Sequence, residues 1–393
     1  MGSIDMKILM VGGTGVLSSA VAKEALCKGL EVTMINRGNR RKNMPQGVEL
    51  IVSDKDNHER ISHLLKGRQF DAVMDFLCYN EQELERSFSF YSQITKQYFF
   101  ISSAAVYNNS IIGPCRENHP KIQPLWSYSV NKWKSEEKLM ALAMGTDVNY
   151  TIVRPMVTYD DTRIPYGIAP LYGFHWTIIE RILHDKPIIT WNQGANRCNM
   201  MRVEDFAVAF VGLIGNEKAY NEAFNICGDE APSFKEVLDI IGDIVCHEVK
   251  TIDVAPEFYA KENPGIAGEL LGGRAITTLI DNTKIKDVVP NFSQRIFLKE
   301  GIFRTIDAYK KKNYQKGIDW SFEAMTDKVI YSWCKQQGLS LPSSTTSFIN
   351  YLGKATLMDR YCYWIKKHSS NFIVKTYLHL ELKTRQIAYR LLR

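Results

Sequence analysis

The fold is decided by residues 7–28, KILMVGGTGVLSSAVAKEALCK. The first five residues are mostly apolar and predict a short buried strand, and the segment from about Val16 to Lys28 predicts a helix. Glycines between a strand and a helix let the backbone approach a pyrophosphate, whose charge is met by the N–H groups at the helix start. A second strand-like run follows at residues 32–36, which favours a dinucleotide site over a loop that only turns the chain. The residues predicted to contact the dinucleotide here are Gly12, Gly15, Val16 and Leu17.

Strand and helix patterns alternate over the first 155 residues. Strand-like runs lie near residues 7–11, 32–36, 48–53, 71–76, 97–102 and 149–154. This alternation is typical of a parallel sheet with helices on both faces. We therefore predict an α/β fold with a doubly wound, Rossmann-type sheet over residues 6–160.

A second set of residues, between Phe99 and Lys132, is suited to proton transfer. The apolar run that starts at Phe99 ends at Ser103, and residues 126–144 predict a helix that places Tyr128 and Lys132 one turn apart. A cation beside a phenol favours the phenolate, so we expect Lys132 to lower the pKa of Tyr128 from about 10. Tyr128 is then a candidate general base and acid, and Ser103 a candidate hydrogen-bond donor to the same substrate oxygen. The spacing alone equally fits a half-buried tyrosine beside a solvated lysine.

Together these residues resemble the extended short-chain dehydrogenase/reductase family, in its NAD-dependent epimerase/dehydratase branch. The Gly-x-x-Gly-x-x-Gly pattern of that family corresponds to Gly12, Gly15 and Ser18, and its Ser-Tyr-Lys set to Ser103, Tyr128 and Lys132. The resemblance covers roughly residues 6–312. The further cofactor contacts that it implies are Asn36, Arg37, Asp54, Phe76, Leu77, Cys78, Tyr128, Lys132 and Pro155.

The end of the second predicted strand bears on the choice between NAD and NADP. A site specific for NAD usually has an acid here that bonds the ribose 2′-hydroxyl, whereas this chain has Asn36 followed by Arg37, with Arg40 and Arg41 close behind. An arginine can pair with a 2′-phosphate. The sequence therefore favours NADP over NAD. The alternative is that these arginines form a solvated basic loop that does not contact the cofactor.

The alternation fades beyond Asp160, where the resembled family inserts a smaller α/β substrate-binding domain. We predict this domain over residues 161–204 and 229–314, with residues 205–228 returning to the Rossmann-type sheet. Candidate contacts to a substrate diphosphate are Arg197, Arg202 and Arg274. The position of the family's usual arginine falls on Cys198, so these three assignments rest on charge alone.

The resemblance implies an NAD(P)-dependent enzyme that acts on a nucleotide-activated sugar, and a homodimer. We predict an epimerase, in which a hydride leaves a sugar carbinol carbon and returns to its opposite face. Ala104 and Ala105 disfavour dehydration, because the family's 4,6-dehydratases have an Asp-Glu pair there and an aliphatic side chain cannot do acid–base work. Two alternatives stay open: an NADP(H)-dependent sugar-nucleotide reductase or dehydrogenase, and an RNA-binding relative of the same fold.

Length and composition limit the remaining possibilities. The chain has 393 residues and 45% apolar content, which predicts two or three domains with sizeable cores. Eight scattered cysteines without C-x-x-C spacing predict neither a disulfide nor a structural metal. We find no N-terminal signal pattern and no apolar run near the roughly 18 residues that span a bilayer, so we expect a cytoplasmic protein.

The C-terminal extension, residues 315–393, is predicted to be helical and basic. Residues 316–393 contain 12 Lys and Arg against 5 Asp and Glu, although the net charge of the whole chain is only +6. Large apolar residues recur at helical spacing from Phe348 to Ile365. Such a basic amphipathic segment packs on its own protein or a second subunit, lies on an anionic membrane, or binds nucleic acid. We favour packing, then the membrane, and consider nucleic acid least favoured.

Overall fold

The computed structural model describes residues 6–41, 44–107, 113–121, 125–312, 317–342, 356–369, 371–374, 376–377 and 380. The strands are β1 (Lys7–Val11), β2 (Glu31–Asn36), β3 (Glu49–Val52), β4 (Phe70–Asp75), β5 (Thr95–Ile101), β6 (Asn149–Pro155), β7 (Val157–Tyr159), β8 (Ile188–Thr190), β9 (Met200–Arg202), β10 (Glu222–Ile226) and β11 (Thr251–Asp253). The helices are α1 (Val16–Cys27), α2 (His58–Leu64), α3 (Glu81–Tyr91), α4 (Ser127–Ala143), α5 (Trp176–Leu183), α6 (Val203–Val211), α7 (Phe234–Val245), α8 (Pro256–Glu262), α9 (Ala267–Glu269), α10 (Thr283–Val288), α11 (Leu298–Lys311), α12 (Trp320–Gln337) and α13 (Leu357–Lys367). A π-helical turn, Leu270–Arg274, continues α9.

The central feature is a parallel sheet of seven strands in the order β10-β6-β5-β4-β1-β2-β3. Alternate residues of β1 point to opposite faces, so Ile8 and Met10 join one apolar core and Leu9 and Val11 the other. Helices α1 and α6 contribute to the first core, and α3 and α4 to the second. The predicted doubly wound α/β fold is confirmed.

The chain forms two compact units, which we call the Rossmann unit and the second unit. The Rossmann unit comprises residues up to 160, 196–233 and 268–302, and the second unit comprises 161–195, 234–267 and 303 onward. This division places residues 196–204, 229–233 and 268–302 in the Rossmann unit, whereas we predicted them in the substrate-binding domain. The reason is that β9 pairs with β7, and Cys115 forms a parallel bridge with Ile280.

The second unit has an aromatic core and a short parallel strand pair, β11 with β8. Tyr166 packs edge-on against Phe234, and Trp191 against Tyr259. His175 is buried here, and its Nδ1 accepts a hydrogen bond from the Ile164 N–H at 3.1 Å. Burial, aided by the charge of Arg163, lowers the pKa of His175 to about 4. This histidine therefore has a structural role.

The C-terminal extension is an integral part of the second unit. Helix α12 starts at the cap residue Asp319, whose Oδ1 accepts the N–H groups of Ser321 and Phe322, and ends at Gly338, whose φ is 66°. Helix α13 packs on it through buried Tyr363, whose hydroxyl donates to Asp327 of α12. Residues 343–355, which include part of the predicted helical pattern, lie outside the described residues.

Candidate cofactor and active site

The glycine-rich turn after β1 has a backbone that other residues rarely adopt. Gly12 and Gly13 have φ angles of 105° and 103°, and a Cβ atom on Gly13 would lie 2.2 Å from Sδ of Met34. At the start of α1, the Ser18 hydroxyl accepts the N–H of Gly15 at 3.0 Å. A serine at the position of the family's third glycine is therefore compatible with the turn, because it caps the helix.

The turn forms one wall of a cavity of about 810 Å³ at the carboxyl ends of the central strands. This edge, where the strand order reverses between β1 and β4, is the usual ligand crevice of such sheets. The cavity volume lies within the roughly 300–1,000 Å³ that ligand and cofactor sites have. Its predicted lining residues are Gly12, Gly15, Val16, Leu17, Asn36, Arg37, Asp54, Phe76, Leu77, Tyr128, Lys132 and Pro155. Cys78, which was also predicted to contact the cofactor, is buried behind the cavity wall, and its backbone carbonyl accepts a hydrogen bond from Lys132.

The cavity also includes residues that the sequence did not single out, among them Lys55, Tyr79 and Ser102. Each follows the end of a parallel strand, and this position in the sequence could have identified them as candidate ligand contacts. Asn36 lines the same space, and its buried Nδ2 has no hydrogen-bond partner among the described residues. A buried amide without a partner is costly, so this group fits an acceptor on a bound dinucleotide.

Lys132 is almost completely buried and faces the cavity. Its ammonium donates to the backbone carbonyls of Cys78 at 2.6 Å and of Ile101 at 2.7 Å. An ammonium has three N–H donors, so one is left for a ligand hydroxyl. Burial lowers the pKa of Lys132 to about 8, against the opposing influence of Cys78 and Asp75.

The predicted effect of Lys132 on Tyr128 is wrong for this structure. Burial raises the pKa of the Tyr128 phenol, and the influence that opposes it most is a hydrogen bond to Ser103. Lys132 lies 5.9 Å from the centroid of the Tyr128 ring, with its donors turned to backbone carbonyls. The hydroxyl of Ser103 is therefore the group that favours the phenolate here.

A buried ion pair holds helix α4, which carries Tyr128 and Lys132, against the sheet. Arg154 on β6 donates two hydrogen bonds to the Glu136 carboxylate on α4, from Nε at 2.9 Å and from Nη2 at 2.5 Å. The same carboxylate accepts the hydroxyl of Ser102 at the end of β5, and Arg154 also donates to the Tyr107 hydroxyl. These bonds fix α4 relative to β5 and β6, and so fix the directions of Tyr128 and Lys132.

The π-helical turn Leu270–Arg274 packs against the start of α4. A Cβ atom on Gly268 would lie 2.8 Å from the Leu125 carbonyl oxygen, and one on Gly273 would lie 3.3 Å from the Trp126 ring. The Trp126 ring is 5.1 Å from that of Tyr128. Turns of this kind often occur at functional sites.

The three arginines proposed for a diphosphate have different surroundings. Arg274 is paired with Glu269 at 3.0 Å, and its charge lowers the pKa of the Tyr128 phenol. Arg202 is buried against the Tyr159 ring and bonded to Glu204, and Arg197 is exposed and donates to a backbone carbonyl. Arg274 is therefore the arginine of the three whose charge opposes the rise in the Tyr128 pKa. Among the described residues, no group of three or more His, Cys, Asp or Glu side chains could hold a metal ion.

We expect dinucleotide affinity to fall as the pH rises through about 8. Above that pH Lys132 becomes a neutral amine, and its two remaining N–H groups are taken by the Cys78 and Ile101 carbonyls. Fluorescence titration of the dinucleotide across this pH range measures the effect. In Lys132→Arg, whose guanidinium stays charged, affinity should be lower but independent of pH, and an unchanged pH dependence would contradict the assignment.

Comparison with known proteins gives three results. A model of the "NAD dependent epimerase/dehydratase family" matches residues 8–227. The chain is 28% identical over 246 residues to a chloroplast stem-loop binding protein of 41 kDa from Arabidopsis thaliana, covering 59% of this chain and only 61% of that protein. It is 25% identical over 334 residues to a protein of Methanocaldococcus jannaschii provisionally named a UDP-glucose 4-epimerase, covering 78% of this chain and 99% of that protein.

Among solved structures, the UDP-glucuronic acid 4-epimerase of Bacillus cereus in complex with UDP-glucuronic acid and NAD superposes with a TM-score of 0.62. The match covers 78% of this chain and all of the epimerase, at 19% identity, so it supports the fold alone. The family model spans more than half of the chain and includes the glycine-rich turn, Ser103, Tyr128 and Lys132. The chain belongs to the NAD-dependent epimerase/dehydratase family of extended short-chain dehydrogenases/reductases.

Proposed function

We propose that this protein is an NAD(P)-dependent epimerase of nucleotide-activated sugars. The observation that carries the proposal is the position of Ser103, Tyr128 and Lys132. Tyr128 and Lys132 line the strand-end cavity, and the Ser103 hydroxyl bonds the Tyr128 phenol beside it. The nicotinamide cofactor supplies hydride acceptance and return. The side chains of the protein therefore have to move one proton and hold the sugar.

In the proposed reaction, the Tyr128 phenolate takes the proton of a sugar hydroxyl while the hydride leaves the same carbon. The products of this half-reaction are a keto sugar and a protonated Tyr128. As Tyr128 takes up the proton, the single O–H of Ser103 turns from the phenol oxygen to the reacting oxygen, where it stabilises the charge that develops. The hydride then returns to the opposite face of the same carbon, and the proton returns from Tyr128 to the oxygen. These two transfers complete the inversion.

Arg274 is the proposed contact to the diphosphate of the nucleotide sugar. Its guanidinium is held by Glu269 at 3.0 Å and acts electrostatically on Tyr128. A diphosphate can replace Glu269 as the partner of Arg274, and two anionic oxygens suit the planar guanidinium. Arg197 and Arg202 remain weaker candidates, since Arg202 is already engaged by Glu204.

The epimerase proposal is tested by incubating the protein with UDP-sugars in D₂O and separating the epimers. We expect a new epimer without deuterium at the inverted carbon and without net formation of reduced cofactor, because the abstracted hydride is returned. We also expect denaturation to release tightly held dinucleotide. Deuterium at the inverted carbon would mean that inversion occurs by proton abstraction, and stoichiometric consumption of NADPH would establish the reductase alternative.

The cofactor prediction concerns Arg37, which is exposed at the cavity beside Arg40. We expect Arg37→Asp to weaken the binding of NADP at least tenfold more than the binding of NAD. A carboxylate repels the 2′-phosphate of NADP and accepts a hydrogen bond from the 2′-hydroxyl of NAD. Dissociation constants for both dinucleotides measure this. Arg60→Asp, outside the cavity lining, is the control. Equal losses for NAD and NADP would show that Arg37 does not contact the ribose.

Three further features remain predictions. A homodimer is expected from the family, and light scattering on the eluting protein tests it. A cytoplasmic location is also expected, and in the described part of the chain no helix has the length and apolar character to cross a membrane. The RNA-binding alternative requires salt-dependent RNA affinity that survives Tyr128→Phe.

A further inference from the structure

The C-terminal helix α13 has an inner face that is fixed to the second unit. The Tyr363 hydroxyl donates to the buried Asp327 carboxylate on α12 at 2.6 Å. Asp327 also accepts from Lys186 at 2.6 Å and from Arg181 at 3.1 Å. Ile365 is buried on α13 as well. These contacts determine which side of α13 faces the protein and which side faces away from it.

The outer face of α13 is apolar although it is exposed. Leu357, Tyr361 and Trp364 follow each other at spacings of four and three residues, so they form one stripe along the helix. Leu357 is 86% exposed and Trp364 is 52% exposed. Directly after the helix, Phe372 is 81% and Ile373 is 76% exposed. Contiguous exposed apolar groups of this size usually mark a surface that binds something.

The same region is strongly basic. Arg360 is exposed and Lys367 half-buried on α13, and their spacing of seven residues places them along one edge of the apolar stripe. The described residues from 356 onward contain three Lys and Arg against one Asp, and the sequence of residues 356–393 contains 8 Lys and Arg against 2 Asp and Glu. A partner of this surface must therefore offer apolar contact and negative charge together.

We propose that the outer face of α13 and residues 371–374 dock on an anionic lipid bilayer. A bilayer surface offers acyl chains for Leu357 and Phe372 and phosphate headgroups for Arg360 and Lys367, and the amphipathic Trp364 suits the boundary between them. A second copy of the chain would bring two basic surfaces together, which electrostatic repulsion opposes. Nucleic acid would use the charges and the aromatic rings but leave the aliphatic side chains in water.

Vesicle flotation of the full-length protein tests the proposal, using phosphatidylcholine vesicles with and without phosphatidylglycerol. We expect binding to the anionic vesicles only, and weaker binding as salt is raised. The apolar variant is Leu357→Ser/Trp364→Ser, and its control is Leu64→Ser/Phe303→Ser, an exposed leucine and aromatic residue elsewhere. The charge variant is Arg360→Gln/Lys367→Gln, and its control is Lys23→Gln/Lys96→Gln, which removes the same charge from the Rossmann unit.

Each surface variant should weaken vesicle binding by roughly tenfold or more, and each control should bind like the natural sequence. Thermal unfolding of all variants shows whether they are folded, which matters for Lys367 because it also donates to the Tyr363 hydroxyl. The proposal is overturned if the full-length protein does not bind anionic vesicles at low salt. It is also overturned if surface and control variants bind equally, if the apolar variant instead abolishes a dimer, or if RNA binds more tightly than vesicles.

Discussion

Replacement of Tyr128 by Phe should lower turnover by a factor on the order of a hundred or more and leave dinucleotide affinity nearly unchanged. The ring keeps its packing against Trp126, but the oxygen that takes the sugar proton is gone. The Ser103 hydroxyl, which bonds that oxygen, cannot take its place, because an ordinary hydroxyl is a far weaker base than a phenolate. Steady-state rates and dinucleotide titrations on the same preparation separate the two effects.

The matched control for this substitution is Tyr150→Phe, which removes a phenol from β6 outside the cavity lining. It should have the turnover of the natural sequence. Ser103→Ala should reduce turnover less than Tyr128→Phe, since Ser103 only stabilises charge. Normal turnover of Tyr128→Phe on the true substrate would remove Tyr128 from the mechanism.

Replacement of Asp327 by Ala should lower the free energy of unfolding by about 3–5 kcal/mol. Asp327 is buried and accepts hydrogen bonds from Arg181, Lys186 and Tyr363. Burial by itself would raise its pKa, but Lys186 and Arg181 outweigh burial and lower the pKa to about 2. Without this carboxylate, Arg181 and Lys186 both lose a buried acidic partner that they share with Glu323, so their positive charge is less well compensated in a buried site.

Urea denaturation of Asp327→Ala measures the loss. Asp239→Ala is the control, because Asp239 is paired with Lys235 on the exposed surface of α7 and should contribute about 1 kcal/mol or less. Tyr363→Phe removes one hydrogen bond from the cluster and should cost about 1–2 kcal/mol. Because the folded pKa of Asp327 is depressed, its contribution is complete above the ordinary aspartate pKa of 3.8 and is lost as the pH falls through about 2. A loss in Asp327→Ala no larger than that in Asp239→Ala would show that the cluster does not stabilise the fold.

The parts of the fold that depend on local sequence were predictable. The apolar run of β1 and the helical pattern from Val16 were read from neighbouring residues, and both elements form within one or two residues of the predicted bounds. The glycine-rich turn was equally local, since its backbone is set by Gly12 and Gly13 themselves.

Features that depend on distant residues were not predictable from one sequence. Arg181 and Asp327 are separated by 146 positions, and neither has a neighbour in the sequence that indicates the other. The orientation of the Lys132 side chain was not predictable for the same reason. Its helical spacing from Tyr128 was correct, but the carbonyls that hold it come from Cys78 in the loop after β4 and from Ile101 at the end of β5, 54 and 31 residues away.

The sheet is completed late during synthesis on the ribosome. Strand β10 pairs with β6 through Glu222 and Thr151, and the apolar core on one face of the sheet also needs Ile285 and Phe292. A nascent chain that has just emerged through β6 therefore has an unpaired strand edge and an uncovered apolar face. At roughly 5–20 residues per second, about 7–27 s pass before residue 292 is made. Open edges and apolar faces are where unfinished chains associate with one another, so a fragment ending near residue 160 should aggregate when it is expressed alone.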